Sequence, residues 1–157
     1  MPIANYTTAH DEILTFIKEG WDAVASAQGL TDVVLVYEDN ENDTLEDGTY
    51  PDDFPETGSR VEIFIDDGRS ERSTLQGEMG ARRFRRTGFV ECNIYTPLGD
   101  GLRTSDKIRD VLVDIFEGER TGLDRVDFRD NRHKNIGVYR KWYRVRLRTT
   151  FEWDTVK

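Results

Sequence analysis

Arg140, Trp142, Arg144, Arg146 and Arg148 follow one another at every second position, and the two-residue period of a β-strand sets all five on one face. Arginine and tryptophan are enriched at protein interfaces, so this pattern offers non-covalent chemistry: capture of an acidic partner. A solvated or helix-covered sheet face is the bland alternative. A second cationic group, Arg82, Arg83, Arg85 and Arg86, closes a polar stretch of about 19 residues, and loops of that length are uncommon in compact domains unless functional or disordered. Nucleic-acid binding is a poor fit, because the flanks lack interleaved aromatics beyond Phe84 and the chain as a whole is acidic. A hairpin arm over residues 67–83, gripping a neighbouring subunit, is the better expectation.

The opposite charge is concentrated between positions 38 and 58. Glu38, Asp39, Glu41, Asp43, Glu46, Asp47, Asp52, Asp53 and Glu56 occur there without a single Lys or Arg, punctuated by Gly48, Pro51, Pro55 and Gly58. Such a stretch has no apolar face to bury and reads as a solvated acidic loop. The alternation of Asp39, Glu41 and Asp43 is that of a calcium loop, but the central glycine and the distant bidentate glutamate are missing at the required offsets. A surface that repels another polyanion, such as DNA passing by, is the functional reading.

Catalytic chemistry finds little support. Gly99-Asp100-Gly101 precedes a helix but lacks the third glycine and the lysine of phosphate-binding loops. There is no serine in a Gly-x-Ser-x-Gly turn and no Cys/His pair at a useful spacing. Cys92 is the single cysteine and falls on an apolar face, which marks it as a core thiol. His133 lies in a polar stretch far from His10. No cofactor or metal is expected, and an enzyme is disfavoured. The competing reading from that class is a carboxylate-metal hydrolase using Asp39, Asp43, Asp66 and Asp67; a third is an adaptor that binds one partner through Arg144, Arg146 and Arg148.

The net charge of −9 is unevenly spread: residues 1–81 carry −15 and residues 82–157 carry +6. Opposite patches on one molecule steer copies toward each other. With 157 residues, the chain is expected to form one domain that buries roughly 70% of its extended surface. No stretch approaches the ~20 apolar residues that span a bilayer, and no basic segment followed by an apolar run opens the chain. No membrane partner is expected, and the protein is read as intracellular or carried in something assembled there.

The elements that must position these charges are legible from periodicity. Ala9, Ile13, Phe16, Ile17, Trp21 and Val24 recur at helical spacing, predicting a helix over 9–27 with Thr8 as its cap and an end near Gly29. The β-branched run Val33 to Val36 predicts a buried strand. Val61, Ile63 and Ile65 predict a strand that ends at Asp67-Gly68. Val90, Cys92 and Ile94 form another, broken by Pro97, Gly99 and Gly101. Ile108, Val111, Leu112, Ile115 and Phe116 make the stripe of a second helix over 104–117, capped by Thr104 or Ser105 and stopped by Gly118. Val126 and Phe128 suggest a short strand, residues 130–137 a turn, and residues 138–153 the final strand. The expected fold is α+β: a mixed or antiparallel sheet of four to five strands, both main helices packed on one face, and a long mobile hairpin arm.

In this order of elements, with the segment from Gly88 through Tyr95-Thr96-Pro97-Leu98-Gly99-Asp100-Gly101 to Ile115-Phe116 and the later Val126-Asp127-Phe128 and Trp142-Tyr143-Arg144-Val145 strands, the chain resembles the tail terminator (tail completion) proteins of long-tailed phages and related gene transfer particles. The likeness spans residues 8–153 and rests on fold-defining motifs. It implies a homo-hexameric ring in the virion neck, assembled in the host cytoplasm. Such a ring caps the tail tube, ends its growth and meets the head-side connector or stopper protein, while DNA passes without specific binding. A head-tail connector, stopper or adaptor of the same particle is the alternative that the resemblance leaves open. In such a ring, Arg82, Arg83, Arg85 and Arg86, or the face of Arg140, Trp142, Arg144, Arg146 and Arg148, is expected to meet a neighbour, and the acids of 38–56 to face the lumen or that neighbour.

Overall fold

The structure, a computed structural model, describes residues 3, 5–37, 58–72, 82–99, 102–117, 119–121, 125–139 and 141–156. Seven elements follow in order: α1 (Tyr6–Val24), β1 (Val33–Tyr37), β2 (Ser59–Arg72), β3 (Arg83–Pro97), α2 (Leu102–Phe116), β4 (Val126–Tyr139) and β5 (Trp142–Val156). The five strands make one sheet in the order β1-β2-β3-β5-β4. β1 runs parallel to β2 and the other neighbours are antiparallel. The fold is α+β with a mixed sheet.

Both helices bury their stripes against one face of this sheet. Ala9, Ile13, Ile17 and Trp21 of α1 and Ile108, Val111, Leu112, Ile115 and Phe116 of α2 share one core with Val61, Ile63, Val90, Cys92, Ile94, Val145, Leu147, Phe151 and Trp153. Each fully buried side chain of this size contributes roughly 1.5–3 kcal/mol of transfer free energy, which is why the two amphipathic stripes end up on a common partner. Cys92 is fully buried among them, and burial together with the neighbouring Glu91 charge pushes its thiol up to about 12. It is a core thiol. Ile3 is 1% exposed and belongs to the same core, a contribution the sequence reading does not contain.

Several boundaries differ from expectation. Helix α1 starts earlier because Asn5, not Thr8, is its cap: the extended Asn5 accepts a bond from the Thr8 backbone N–H at 2.9 Å. Asparagine caps at least as well as threonine. Its helix closes at Val24; Gly29 then takes φ +71°, and the Leu30 N–H donates back to the Ala25 carbonyl at 2.9 Å. In α2, Ser105 lies inside the helix and donates its hydroxyl to the Leu102 carbonyl at 2.9 Å, so neither it nor Thr104 is the cap. Gly118, the expected stop, lies outside the described residues.

The run Val33 to Val36 is not a buried strand. β1 is an edge strand in which Val36 is buried and Val34 is 42% exposed; β-branched residues fit an edge as well as a core, so the run by itself does not distinguish them. The expected turn at 130–137 is strand: β4 runs unbroken from Val126 to Tyr139, and β5 begins at Trp142 rather than 138. Register shifts between Phe128 and Asn131 and between Asn135 and Gly137, with Gly137 at φ +99°, absorb its irregularities. An edge strand with a solvated side needs no apolar alternation, so its polar sequence imitates a turn. Likewise β2 continues beyond Asp67-Gly68: Ser70, Glu71 and Arg72 pair with Arg86, Arg85 and Phe84 across a bulge. The expected arm at 67–83 is therefore strand at both ends, and residues 73–81 lie outside the described part.

One polar cluster ties α1 to the start of β4. The Arg125 side chain donates to Glu12 Oε2 through Nε at 2.8 Å and approaches it through Nη2 at 2.6 Å, while the Thr121 hydroxyl donates to Glu12 Oε1. Thr121 Oγ1 also accepts from the Val126 N–H at 3.3 Å. The Glu12 side chain is only 7% exposed.

Candidate interaction surface

Strand alternation decides what the other face of the sheet carries. Since Val61, Ile63, Val90, Cys92, Ile94, Val145 and Leu147 turn toward the helices, Arg60, Glu62, Glu91, Asn93, Tyr95, Arg144, Arg146 and Arg148 must turn away. The β3–β5 register then sets Glu91 opposite Arg148, Asn93 opposite Arg146 and Tyr95 opposite Arg144. Cross-strand neighbours at this distance interact directly.

The result is a linked ladder. Arg148 Nη2 donates to Glu91 Oε2 at 2.7 Å, and Arg146 Nε lies 3.2 Å from Oε1. Asn93 donates its amide to Glu91 Oε1 at 3.2 Å and accepts from Arg144 Nη2 at 3.0 Å. Farther along, the Arg60 guanidinium sits 4.5 Å from the centre of the Tyr95 ring and 5.3 Å from that of Trp142, and its Nε is 3.3 Å from Glu62. At the opposite end Arg148 lies 4.1 Å over Phe89. These stackings are cation–π contacts, which suit the planar guanidinium better than an ammonium.

Exposure divides this face. Arg60, Glu62, Asn93 and Tyr95 are buried, whereas the Arg146 and Arg148 side chains are 34% and 44% exposed. Burial and the adjoining Glu62 carboxylate raise the Tyr95 phenol to about 12 against the lowering charges of Arg144 and Arg60. Burial also pushes the Glu91 carboxyl upward, but the hydrogen bonds from Arg148 and Asn93 and the charges of Arg146 and Arg148 outweigh it, and the net pKa falls below the ordinary 4.5. A carboxylate lowered on folding stabilises the native state above its unfolded pKa and loses that stabilisation as pH drops through the folded one. Melting temperature is therefore expected to decline below about pH 4.5, with part of that decline absent in Glu91→Gln. Identical acid profiles for the two proteins would show the ladder to be energetically idle.

The other sequence-derived candidates are scattered. Arg83 and Arg85 share the ladder's face and flank Asp154, at 3.7 and 3.8 Å. Arg86 points the opposite way, donating to the Tyr6 hydroxyl at 3.0 Å with its guanidinium 5.3 Å from that ring. Arg82 is exposed just ahead of β3. The four arginines thus do not form one patch, because alternate residues of a strand face opposite ways. Trp142, Arg144, Arg146 and Arg148 do share a face, as their spacing predicts; Arg140 lies outside the described residues. So do Glu38, Asp39, Glu41, Asp43, Glu46, Asp47, Asp52 and Asp53. Of the four hydrolase carboxylates, Asp39 and Asp43 are outside the described part, and Asp66 and Asp67 are exposed on β2, Asp67 3.0 Å from His10. Among the described residues no group of three His, Cys, Asp or Glu side chains is placed to hold a metal ion, and no helix is long and apolar enough to cross a membrane. Glu91, Asn93 and the Arg60–Glu62 pair are not among the sequence-derived candidates, although the alternation of Glu91, Asn93 and Tyr95 with Cys92 and Ile94 carries the signal.

No family model matches the chain, and no curated protein matches it. Thirteen chains of solved structures do match. One of them, at 15% sequence identity, superposes with a TM-score of 0.58 over 94% of this chain and 95% of its own, and its name carries no functional word. At that identity the likeness establishes the fold alone.

Proposed function

We propose that this protein is a structural component of a phage tail: a tail terminator that forms a ring on the tail tube, ends tube growth and joins the tail to the head-side connector while DNA passes through. The reading starts from the resemblance carried by the strand, break and helix of residues 88–116. One observation on the folded chain supports it most. The two broad faces of the domain differ in chemistry, helices on one and an arginine, carboxylate and aromatic ladder on the other, with Arg146 and Arg148 partly exposed. Closed rings are built from heterologous contacts, in which each subunit offers two unlike surfaces.

The test is to add the purified protein to polymerising tail-tube protein and image the tubes. Added protein is expected to cap one end and to shorten the tubes. Capping should weaken between ~50 mM and ~1 M salt, as the Debye length falls from above ~10 Å to ~3 Å. Tubes that grow to the same length with and without the protein would sink the proposal.

A further inference from the structure

A groove of about 480 Å³ runs beside α1, with Phe16 in its lining and Asp11, Glu12, Thr15, Glu19 and Arg125 around it. Glu12 is held by Arg125, but Asp11 and Glu19 are exposed on the rim and neither forms an ion pair with a described residue. The complementary charges sit elsewhere on the same chain. Arg132 and Lys134 are exposed on β4, and they too lack an ion-pair partner among the described residues. β4 ends the sheet, and beyond the single bridge between Arg120 and Asp127 its outer edge pairs with no described strand. Ile136, two positions on, is 39% exposed.

These surfaces do not meet within one molecule. Arg132 and Lys134 stand opposite Arg148 and Arg146 on β5, and cross-strand partners share a face, so both lie on the side of the sheet turned away from the helices and the α1 groove. We propose that the α1 groove receives the outer edge of β4 from a second copy of this chain. Arg132 and Lys134 meet Asp11 and Glu19, and Ile136 covers Phe16. Unpaired exposed edges are ready templates for association, and opposite charges on the two surfaces direct the choice of partner. The number of copies rests on the ring reading above, whereas the contact rests on the groove and the charges.

The full-length chain is to be followed by sedimentation at ~50 mM salt, where exposed charges are least screened. Wild type is expected to self-associate. Asp11→Arg with Glu19→Arg, and separately Arg132→Glu with Lys134→Glu, should each weaken association about tenfold or more, because attraction becomes repulsion at several pairs. Mixing the two double variants should restore a complex, since the reversed groove then faces a reversed strand. Melting curves confirm that each variant is folded, as expected for exposed substitutions. A wild type that stays monomeric at ~100 µM, double variants that associate like wild type, or folded variants that fail to rescue each other would each overturn the contact. Rescue in a closed dimer would uphold the contact and count against the ring; capping of tubes by a protein lacking this contact would do the reverse.

Discussion

Replacing Gly88 by alanine is expected to lower stability by about 3 kcal/mol or more, and Gly88→Val to prevent folding. A Cβ at this position would lie 2.4 Å from the Asp66 carbonyl oxygen and 2.6 Å from the edge of the Phe151 ring. Gly88 pairs with Asp67 on β2 and with Phe151 on β5. The offending oxygen is therefore backbone held in the ladder, and the ring is fully buried core. Neither can retreat without opening the sheet at its centre. Gly20→Ala is the contrasting case. There the nearest atoms are the Ile115 side chain at 3.1 Å, a group that can adjust, and alanine recovers up to ~1 kcal/mol of helix propensity. Its net effect should be near zero. Urea denaturation of the three variants checks both statements; a Gly88→Ala protein within ~1 kcal/mol of wild type would mean that the β2–β3 spacing relaxes there.

Arg125→Met is expected to destabilise the fold by about 3 kcal/mol, because a buried carboxylate, Glu12, keeps only the Thr121 hydroxyl as partner when the guanidinium leaves. For a chain of this size that corresponds to a fall of roughly 6–12 °C in melting temperature. The double variant Glu12→Gln, Arg125→Met should recover most of the loss, since a neutral amide tolerates burial far better than an unpaired charge. That comparison separates the cost of a stranded charge from the value of the pair. Equal melting temperatures for wild type and Arg125→Met would show that water serves the carboxylate as well as arginine does. The staple matters beyond stability, because Glu12 and Arg125 also shape the groove proposed as the docking site.

Periodicity alone carries the α+β class, both helices and which of their residues face inward, because the 3.6-residue repeat is strong in residues 9–24 and 105–116. It also determined that Val145, Leu147, Phe151 and Trp153 share the core while Trp142, Arg144, Arg146 and Arg148 share the far face, since a strand's period of two leaves no third choice. The remainder depends on contacts between segments far apart in the chain. That Arg146 and Arg148 converge on Glu91, and Arg144 on Asn93, is a matter of β3–β5 register, which pairs residues more than 50 positions apart. That residues 130–137 are an edge strand rather than a turn depends on β5 lying alongside to supply hydrogen bonds to a sequence with no apolar rhythm of its own. Arg85 and Arg86 turn to opposite faces by the strand's own alternation, but that they meet Asp154 and Tyr6 there has the same long-range origin. Local periodicity fixes which way a side chain points, but long-range pairing chooses what it meets.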